Sequence, residues 1–129
     1  MTSQLSKNQL RIVVLDDEPL VLTGVSLLLE SMGHDVTQAT HGQEVLDLVR
    51  QGQRFDLAIL DLTVRNGLGG QEIVEELRAI DSEIQLVVSS GYVGNEVMTD
   101  YQRFGFHKRL SKPFSLGDLR ELIAVDTSA

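Results

Sequence analysis

The sequence predicts an α/β domain in which a parallel five-stranded sheet lies between two layers of helices. Strand and helix patterns alternate five times along the chain, an order typical of parallel sheets covered by helices on both faces. Three of the strand patterns are almost continuously apolar, as expected of strands buried on both sides. The chain of 129 residues is the size of one domain with a single core.

Five short segments carry the strand patterns. Segments 12–15 (IVVL), 57–60 (LAIL) and 86–88 (LVV) are apolar, whereas 34–39 (HDVTQA) and 107–110 (HKRL) are more polar, as strands at a sheet edge should be. These polarities favour the strand order 2-1-3-4-5 of a flavodoxin-like (βα)5 three-layer sandwich, in which the first and third strands are neighbours. The alternative order 3-2-1-4-5 would bury the polar second strand.

Apolar residues three and four positions apart predict the helices between these strands. Gly33 can end the first helix, Thr40 with Gln43 predicts a capping box at the second, and Ser115 can cap the last. The glycines of segment 66–72 (NGLGGQE) lack the pattern of a dinucleotide-binding loop and predict a turn. The helical faces are, in chain order, Leu22, Val25, Leu29 and Met32; Val45, Leu46 and Val49; Ile73, Val74, Leu77 and Ile80; Val97, Met98, Tyr101 and Phe104; Leu116, Leu119, Leu122 and Ile123.

Polar segments bracket the predicted domain, which we place at residues 10–125 between flexible tails at 1–9 and 126–129. The absence of cysteine excludes disulfides and thiolate metal sites. No apolar run approaches the ~18 residues that span a bilayer, and the first residues lack the apolar stretch of a signal peptide, so a cytoplasmic location is expected. The formal net charge of −8 argues against direct contact with nucleic acid or an anionic membrane. Nothing in the sequence requires an oligomer.

Polar side chains follow the predicted strands at the end where open parallel sheets bind ligands. Asp16 and Asp17 follow the first strand, Asp61 ends the third, Ser90 ends the fourth and Lys112 follows the fifth. Each has an ordinary alternative role: Asp17 could cap the next helix, Asp61 could belong to a turn, and Ser90 and Lys112 could be solvated. Three carboxylates at neighbouring strand ends repel one another unless a cation or Lys112 compensates, so the combination indicates a site.

The residue types at this site indicate phosphoryl chemistry. Ligands that are all oxygen favour a hard cation, and a few carboxylates with room for water suit Mg²⁺. A carboxylate beside Mg²⁺ can attack a phosphoryl group and form an acyl phosphate. The metal ion, the Lys112 ammonium and the Ser90 hydroxyl can then neutralise the three phosphoryl oxygens. We therefore expect Asp61 to be a phosphoryl acceptor.

Four segments, LDDEP, AILDLT, VVSSGY and LSKPF, together resemble the response regulator receiver domain, and the resemblance spans nearly the whole chain. The segment DLTVRNGLGGQE, together with SSGY, is most similar to the receivers of hybrid sensor histidine kinases. The resemblance implies a signalling domain with a CheY-like fold that catalyses only its own phosphorylation and dephosphorylation. It also implies that Asp61 takes its phosphoryl group from a histidine kinase or a histidine phosphotransfer domain.

The resemblance also implies a role for each site residue. Asp17 and Asp61 would bind Mg²⁺ directly together with the backbone carbonyl of Thr63, and Asp16 would act mostly through water. Ser90 and Lys112 would bind the phosphoryl oxygens; Ser90 is preferred over Ser89 because the hydroxyl of the family precedes a small residue, here Gly91. The peptide bond between Lys112 and Pro113 is expected to be cis, as is usual in the family.

Two residues depart from the family pattern. Arg65 stands where the family often has proline, four residues after the acceptor, and we interpret it as surface variation. Arg109 stands where the family usually has an aromatic rotamer switch, three residues before the lysine. We expect Arg109 to stay near the surface, to pair with Glu96 or Asp100, and to act with Ser90 as a switch for an output surface on the fourth helix, fifth strand and fifth helix.

Three other functions fit these residues less well. A haloacid-dehalogenase-type phosphohydrolase would need a second aspartate two residues after the nucleophile, where this chain has Thr63. A flavin mononucleotide binder would not place acids after the first strand. A receiver-like interaction module that is not phosphorylated would not need the full set of site residues. His34, His41 and His107 do not sit with a partner at a predicted carboxyl end of a strand and are interpreted as structural or exposed.

Overall fold

The structure, a computed structural model, describes residues 9–91 and 94–127, so most of the predicted tails lie outside the described residues. Within them, five parallel strands alternate with five helices, and the sheet order is β2-β1-β3-β4-β5, which confirms the prediction. The elements are β1 (Arg11–Leu15), α1 (Pro19–Ser31), β2 (Asp35–Ala39), α2 (Gly42–Arg50), β3 (Leu57–Asp61), α3 (Gly70–Ile80), β4 (Gln85–Ser90), α4 (Glu96–Thr99), β5 (Lys108–Ser111) and α5 (Leu116–Thr127).

The core consists of two apolar layers on opposite faces of the sheet. Side chains alternate along β1, so Val13 and Leu15 pack with residues of α2 and α3, whereas Ile12 and Val14 pack with residues of α1 and α5. All five residues of β3 are buried. Together, the two layers hold the carboxyl ends of β1, β3 and β4 side by side, which is where the candidate site lies.

The predicted fourth helix is shorter than its apolar pattern. Helix α4 covers only Glu96–Thr99. The chain continues in tight turns, in which the N–H of Phe104 donates to the carbonyl of Tyr101. Gly105 then takes a φ of 103°, a left-handed conformation that glycine adopts without strain, and the chain turns into β5. Tyr101 and Phe104 still pack against the core, so the prediction was wrong about helix length but right about these side chains.

The helix caps confirm one prediction and contradict another. At α5, the Asp118 N–H donates to Ser115 Oγ (3.1 Å) and the Ser115 N–H donates to the Asp118 carboxylate (2.8 Å). At α2, the predicted pair of Thr40 and Gln43 is wrong. The helix begins two residues after Thr40, so Glu44 reaches back and accepts the Thr40 N–H at 2.7 Å.

Two histidines hold the beginnings of strands in place. Gly33 ends α1 with a φ of 95°, as predicted. The following residue, His34, accepts the N–H of Leu10 on Nδ1 (3.0 Å), and His107 accepts the N–H of Leu86 in the same way (2.9 Å). The structural interpretation of these histidines is confirmed.

Among the described residues, no helix has the length and apolarity needed to cross a membrane.

Candidate phosphoacceptor site

Three carboxylates meet at the carboxyl end of the sheet. Asp61 is the last residue of β3, and Asp16 and Asp17 directly follow the neighbouring strand β1. One oxygen atom from each carboxylate lies within 4.8 Å of the other two. Asp16 and Asp61 are buried and Asp17 is half-buried, so little water screens their repulsion. We call these three residues the acidic cluster.

Lys112 neutralises the buried part of this cluster. Its Nζ lies 2.7 Å from Asp16 Oδ2 and 3.4 Å from Asp61 Oδ1. Burial alone would lower the pKa of Lys112, but the hydrogen bond to Asp16 and the charges of Asp61 and Asp16 outweigh it and raise the pKa above its ordinary value. Lys112 therefore stays charged. Its backbone N–H donates to the carbonyl of Ser90 (2.9 Å), and its peptide bond with Pro113 is cis, as expected.

One lysine does not balance three acids, and Asp61 carries the excess. Burial is the largest cause that raises the pKa of Asp61, and the charges of Asp16 and Asp17 add to it. Lys112 acts in the opposite direction, yet the pKa of Asp61 still reaches about 6. Without a further cation, the ionised form of Asp61 is therefore destabilised in the folded protein.

The two acids that follow β1 have different partners. Asp16 uses both carboxylate oxygens, because Oδ1 accepts the N–H of Glu18 (2.9 Å) and Oδ2 accepts Lys112 Nζ. Asp17 does not cap α1, since the described N-cap residue is Glu18, without a side-chain capping bond. Asp17 Oδ2 instead accepts the N–H of Arg65 at 2.9 Å. The alternative interpretation of Asp17 as a helix cap is therefore wrong.

Arg65 is the site residue that sequence reasoning missed. Besides its backbone bond to Asp17, its guanidinium Nε lies 3.8 Å from Asp17 Oδ2. Arg65 thus lies at the surface, as expected, with its side chain 83% exposed, but it also borders Asp17. The replacement of the usual proline was the available signal, because an arginine adds both a backbone donor and a charge.

Glycines keep the loop after Asp61 close to the site. A Cβ atom on Gly69 would lie 2.6 Å from the carbonyl oxygen of Leu62 and 2.8 Å from the Cα of Thr63, both too close for any residue with a side chain. A Cβ atom on Gly70 would lie 3.1 Å from the carbonyl oxygen of Asp61. The loop glycines therefore allow the start of α3 to press against the backbone that carries Thr63.

The two serines at the end of β4 differ in position. Ser90 lines the cleft above the acidic cluster, together with Asp61, Thr63 and Lys112. We call this the acidic cleft. Ser89 is paired with Asp61 in the sheet register, and its Oγ is buried without a hydrogen-bond partner among the described residues. This placement supports Ser90 as the hydroxyl that faces the cleft.

Arg109 lies on β5 with its side chain at the surface, as predicted, but its predicted ionic partners are wrong. Its guanidinium donates to the carbonyl of Met98 (2.8 Å) and lies 5.6 Å from the centre of the Tyr101 ring. Glu96 and Asp100 pair instead with Arg103 in the turns after α4, at 2.6 and 2.8 Å.

The sequence that forms this arrangement matches a known family. A model of the response regulator receiver domain matches residues 12–124. The chain belongs to the response regulator receiver family. Receiver domains act as signalling modules in two-component systems, so the haloacid-dehalogenase and flavin-binding alternatives lose their support.

Individual relatives extend this assignment. Sporulation initiation phosphotransferase F of Bacillus subtilis is 26% identical over 117 residues, which span 88% of this chain and 90% of that protein. The CAI-1 autoinducer sensor kinase/phosphatase CqsS of Vibrio cholerae is 32% identical over 113 residues, but the match covers only 16% of that kinase. This receiver is thus similar both to a stand-alone protein and to one part of a long sensor kinase.

Solved structures show the same fold. The receiver domain of sensor histidine kinase PA1611 from Pseudomonas aeruginosa, solved with magnesium in its active site cleft, is 21% identical with a TM-score of 0.81 over 91% of this chain and 96% of that one. A CheY-like receiver from Methanospirillum hungatei is 25% identical with a TM-score of 0.80 and covers 90% of this chain and 91% of that one.

Proposed function

We propose that this receiver domain accepts a phosphoryl group on Asp61 from the phosphohistidine of a histidine kinase or a histidine phosphotransfer domain. The observation that carries the proposal is the surroundings of Asp61. Its carboxylate opens into a cleft, lies against two further carboxylates, and has the Lys112 ammonium 3.4 Å away. A carboxylate that only supported the fold would gain nothing from two like charges beside it.

The donor set fits Mg²⁺. The acidic cluster offers only oxygen atoms, and one lysine leaves its negative charge in excess. Asp17 and Asp61 would be direct ligands with the backbone carbonyl of Thr63, which lines the same cleft. Asp16 already accepts two hydrogen bonds, which supports a role through water. When bound, the metal ion would keep Asp61 ionised and neutralise phosphoryl oxygens.

The side chains of the cleft account for the transfer. A carboxylate oxygen of Asp61 attacks the phosphorus, the bond from phosphorus to the donor imidazole breaks, and the imidazole nitrogen keeps the electron pair. Lys112 and the Ser90 hydroxyl stabilise the charge on the transferring oxygens. Attack of water on the acyl phosphate later restores Asp61. On this proposal the domain catalyses its own phosphorylation and dephosphorylation only.

The donor would bind over helix α1. Leu20 and Leu27 are 89% and 61% exposed on this helix, unusual values for large apolar side chains. They line an apolar groove that shares Gly91 and Lys112 with the acidic cleft, so a protein that brings a phosphohistidine to Asp61 would cover it. We therefore place the kinase or phosphotransfer domain on this face.

The output surface is proposed on α4, β5 and α5. Lys112 directly follows β5 and Ser90 ends β4, so a phosphoryl group bound to both would draw together strands that border this surface. Arg109 connects β5 to the carbonyl of Met98 in α4. We infer that Arg109 reports the switch through this bond. The proposed domain is residues 10–125, and the proposed location is the cytoplasm.

The proposal is tested by labelling with acetyl phosphate and Mg²⁺. Wild type should gain a hydroxylamine-labile phosphoryl group on Asp61, Asp61→Asn should gain none, and Asp35→Asn, which changes an exposed carboxylate on β2, should label normally. Unlabelled wild type would favour the interaction module that is not phosphorylated. Lys112→Ala should lose the spectral response to beryllofluoride, and an unchanged response would remove Lys112 from the mechanism.

A further inference from the structure

Residue 65 contacts Asp17 through two different groups. Its backbone N–H donates to Asp17 Oδ2 (2.9 Å), and its guanidinium Nε lies 3.8 Å from the same oxygen. The proline common at this position in the family could supply neither, because it has no N–H and no charge. In this chain, one residue therefore ties the loop after β3 to the acid that follows β1.

The cations of the site are divided between the acids. Lys112 contacts Asp16 and Asp61 in the interior of the cluster. Asp17 is the third acid, and among the described contacts its cationic neighbour is Arg65. The Arg65 side chain is 83% exposed, so it lies at the mouth of the acidic cleft.

The turn that follows keeps Arg65 in this place. Asn66 has a φ of 58°, a left-handed conformation that asparagine tolerates better than most residues. Farther along, Gly69 packs against the backbone of Leu62 and Thr63. The backbone N–H of Arg65 is thus held at Asp17 by the loop, whereas its guanidinium can move away without disturbing the fold.

We propose that Arg65 is a tethered counter-cation that competes with Mg²⁺ for Asp17. In the metal-free domain its guanidinium offsets the charge of Asp17. A metal ion that binds Asp17 must either displace the Arg65 guanidinium or bind against its positive charge. Arg65 therefore weakens magnesium binding and raises the Mg²⁺ concentration that phosphorylation requires. The inference rests on the proposed magnesium site.

The expected size follows from the exposure of the pair. An exposed ion pair of this kind contributes only a small interaction free energy. If that free energy opposes magnesium binding, it changes the dissociation constant for Mg²⁺ by about 1.4- to 5-fold. Removing the guanidinium should therefore tighten magnesium binding by that factor. The effect should shrink as salt is added, because added ions screen an exposed charge.

The experiment is a magnesium titration followed by amide chemical shifts at low and high salt. Arg65→Gln keeps much of the side-chain length and removes the charge, and it should bind Mg²⁺ more tightly than wild type. Arg54→Gln is the matched control. Its Nε lies 3.6 Å from Asp81 Oδ2, nearly the geometry of Arg65 and Asp17, but it precedes β3 at the opposite end of the sheet. Its magnesium affinity should equal that of wild type.

A double-mutant cycle makes the test local. In an Asp17→Asn background, Arg65→Gln should lose most of its effect, because the carboxylate for which it competes is gone. Equal or weaker magnesium binding by Arg65→Gln, or an equal gain in Arg54→Gln, would overturn the inference. If Asp17→Asn binds Mg²⁺ as wild type does, or if wild type binds none, the proposed metal site itself fails. Weaker binding by Asp17→Asn without a gain in Arg65→Gln refutes the role of Arg65 alone.

Discussion

Replacing Asp61 with asparagine should stabilise the metal-free domain, and the gain should depend on pH. The pKa of Asp61 is raised from 3.8 to about 6 in the folded protein, mainly by burial. Between these values the folded state binds more protons than the unfolded state, so the free energy of unfolding of wild type falls as pH rises. This stability is fully present below pH 3.8 and is lost as pH rises through about 6.

The magnitude follows from the same two values. The difference between 3.8 and about 6, at 1.36 kcal/mol per pKa unit, corresponds to about 3 kcal/mol. Asp61→Asn removes the ionisable group, so its free energy of unfolding should exceed that of wild type by up to this amount at pH 8. The gap should close toward pH 4. Removal of the proposed acceptor would thus increase stability, as is common where function opposes folding.

Urea denaturation followed by circular dichroism measures the gap, with a chelator present to exclude divalent cations. Wild type and Asp61→Asn are compared between pH 4.5 and 8, with Asp35→Asn as a control for an exposed acid on β2. Saturating Mg²⁺ should narrow the gap at pH 8, since only wild type keeps the full ligand set. A gap that does not vary with pH, or an asparagine variant less stable than wild type at pH 8, would refute the reasoning.

Three further predictions concern the loop, a histidine and helix α1. Gly69→Ala should lower the free energy of unfolding by ~1–3 kcal/mol in denaturation experiments, because the added Cβ atom would clash with the backbone near the site. Gly24→Ala in α1 is the control, and it should be neutral or stabilising because the space around Gly24 is open. His34→Phe should lower the free energy of unfolding by about 1 kcal/mol above pH 6.5, where the neutral ring of wild type accepts a backbone N–H. Burial lowers the pKa of His34, so wild type should lose stability at lower pH and the difference between the two proteins should shrink. A difference independent of pH would contradict this. Leu20→Asp should slow phosphorylation by a kinase but leave labelling by acetyl phosphate unchanged, whereas Ile80→Asp on α3 should change neither rate; equal slowing of Leu20→Asp with both donors would argue against a docking face.

The strands and the main site residues could be predicted because they depend on short-range information. A buried parallel strand has a continuous apolar pattern, and the residue that ends it must lie at the ligand-binding edge of the sheet. Asp61 and Ser90 are such residues, and Asp16 and Asp17 directly follow another strand. Their proximity therefore follows from strand order alone, which the polar edge strands specified.

The features that could not be predicted depend on how separate segments pack. The length of α4 is set by turns that deliver the chain to β5, although its apolar spacing suits a longer helix. The contact of Arg65 with Asp17 joins residues 48 positions apart through the course of a loop. Likewise, Arg103 rather than Arg109 holds Glu96 because of the path that the turns take after α4. Charge type alone indicates that such pairs form but not which residues form them.

The positive groups around the acidic cluster have a consequence for how its state can be sensed. Lys112 and Arg65 set two positive charges against three carboxylates, so the site carries roughly one net negative charge when all are ionised. A bound divalent cation would reverse that sign, and exchange of the Asp61 carboxylate for an acyl phosphate of about two negative charges would return the total close to zero. At distances beyond a Debye length, the phosphorylated site would exert almost no electrostatic force on a partner. Long-range attraction would then contribute little to recognition of the phosphorylated site, so a partner would have to recognise it through direct contact with atoms that have moved.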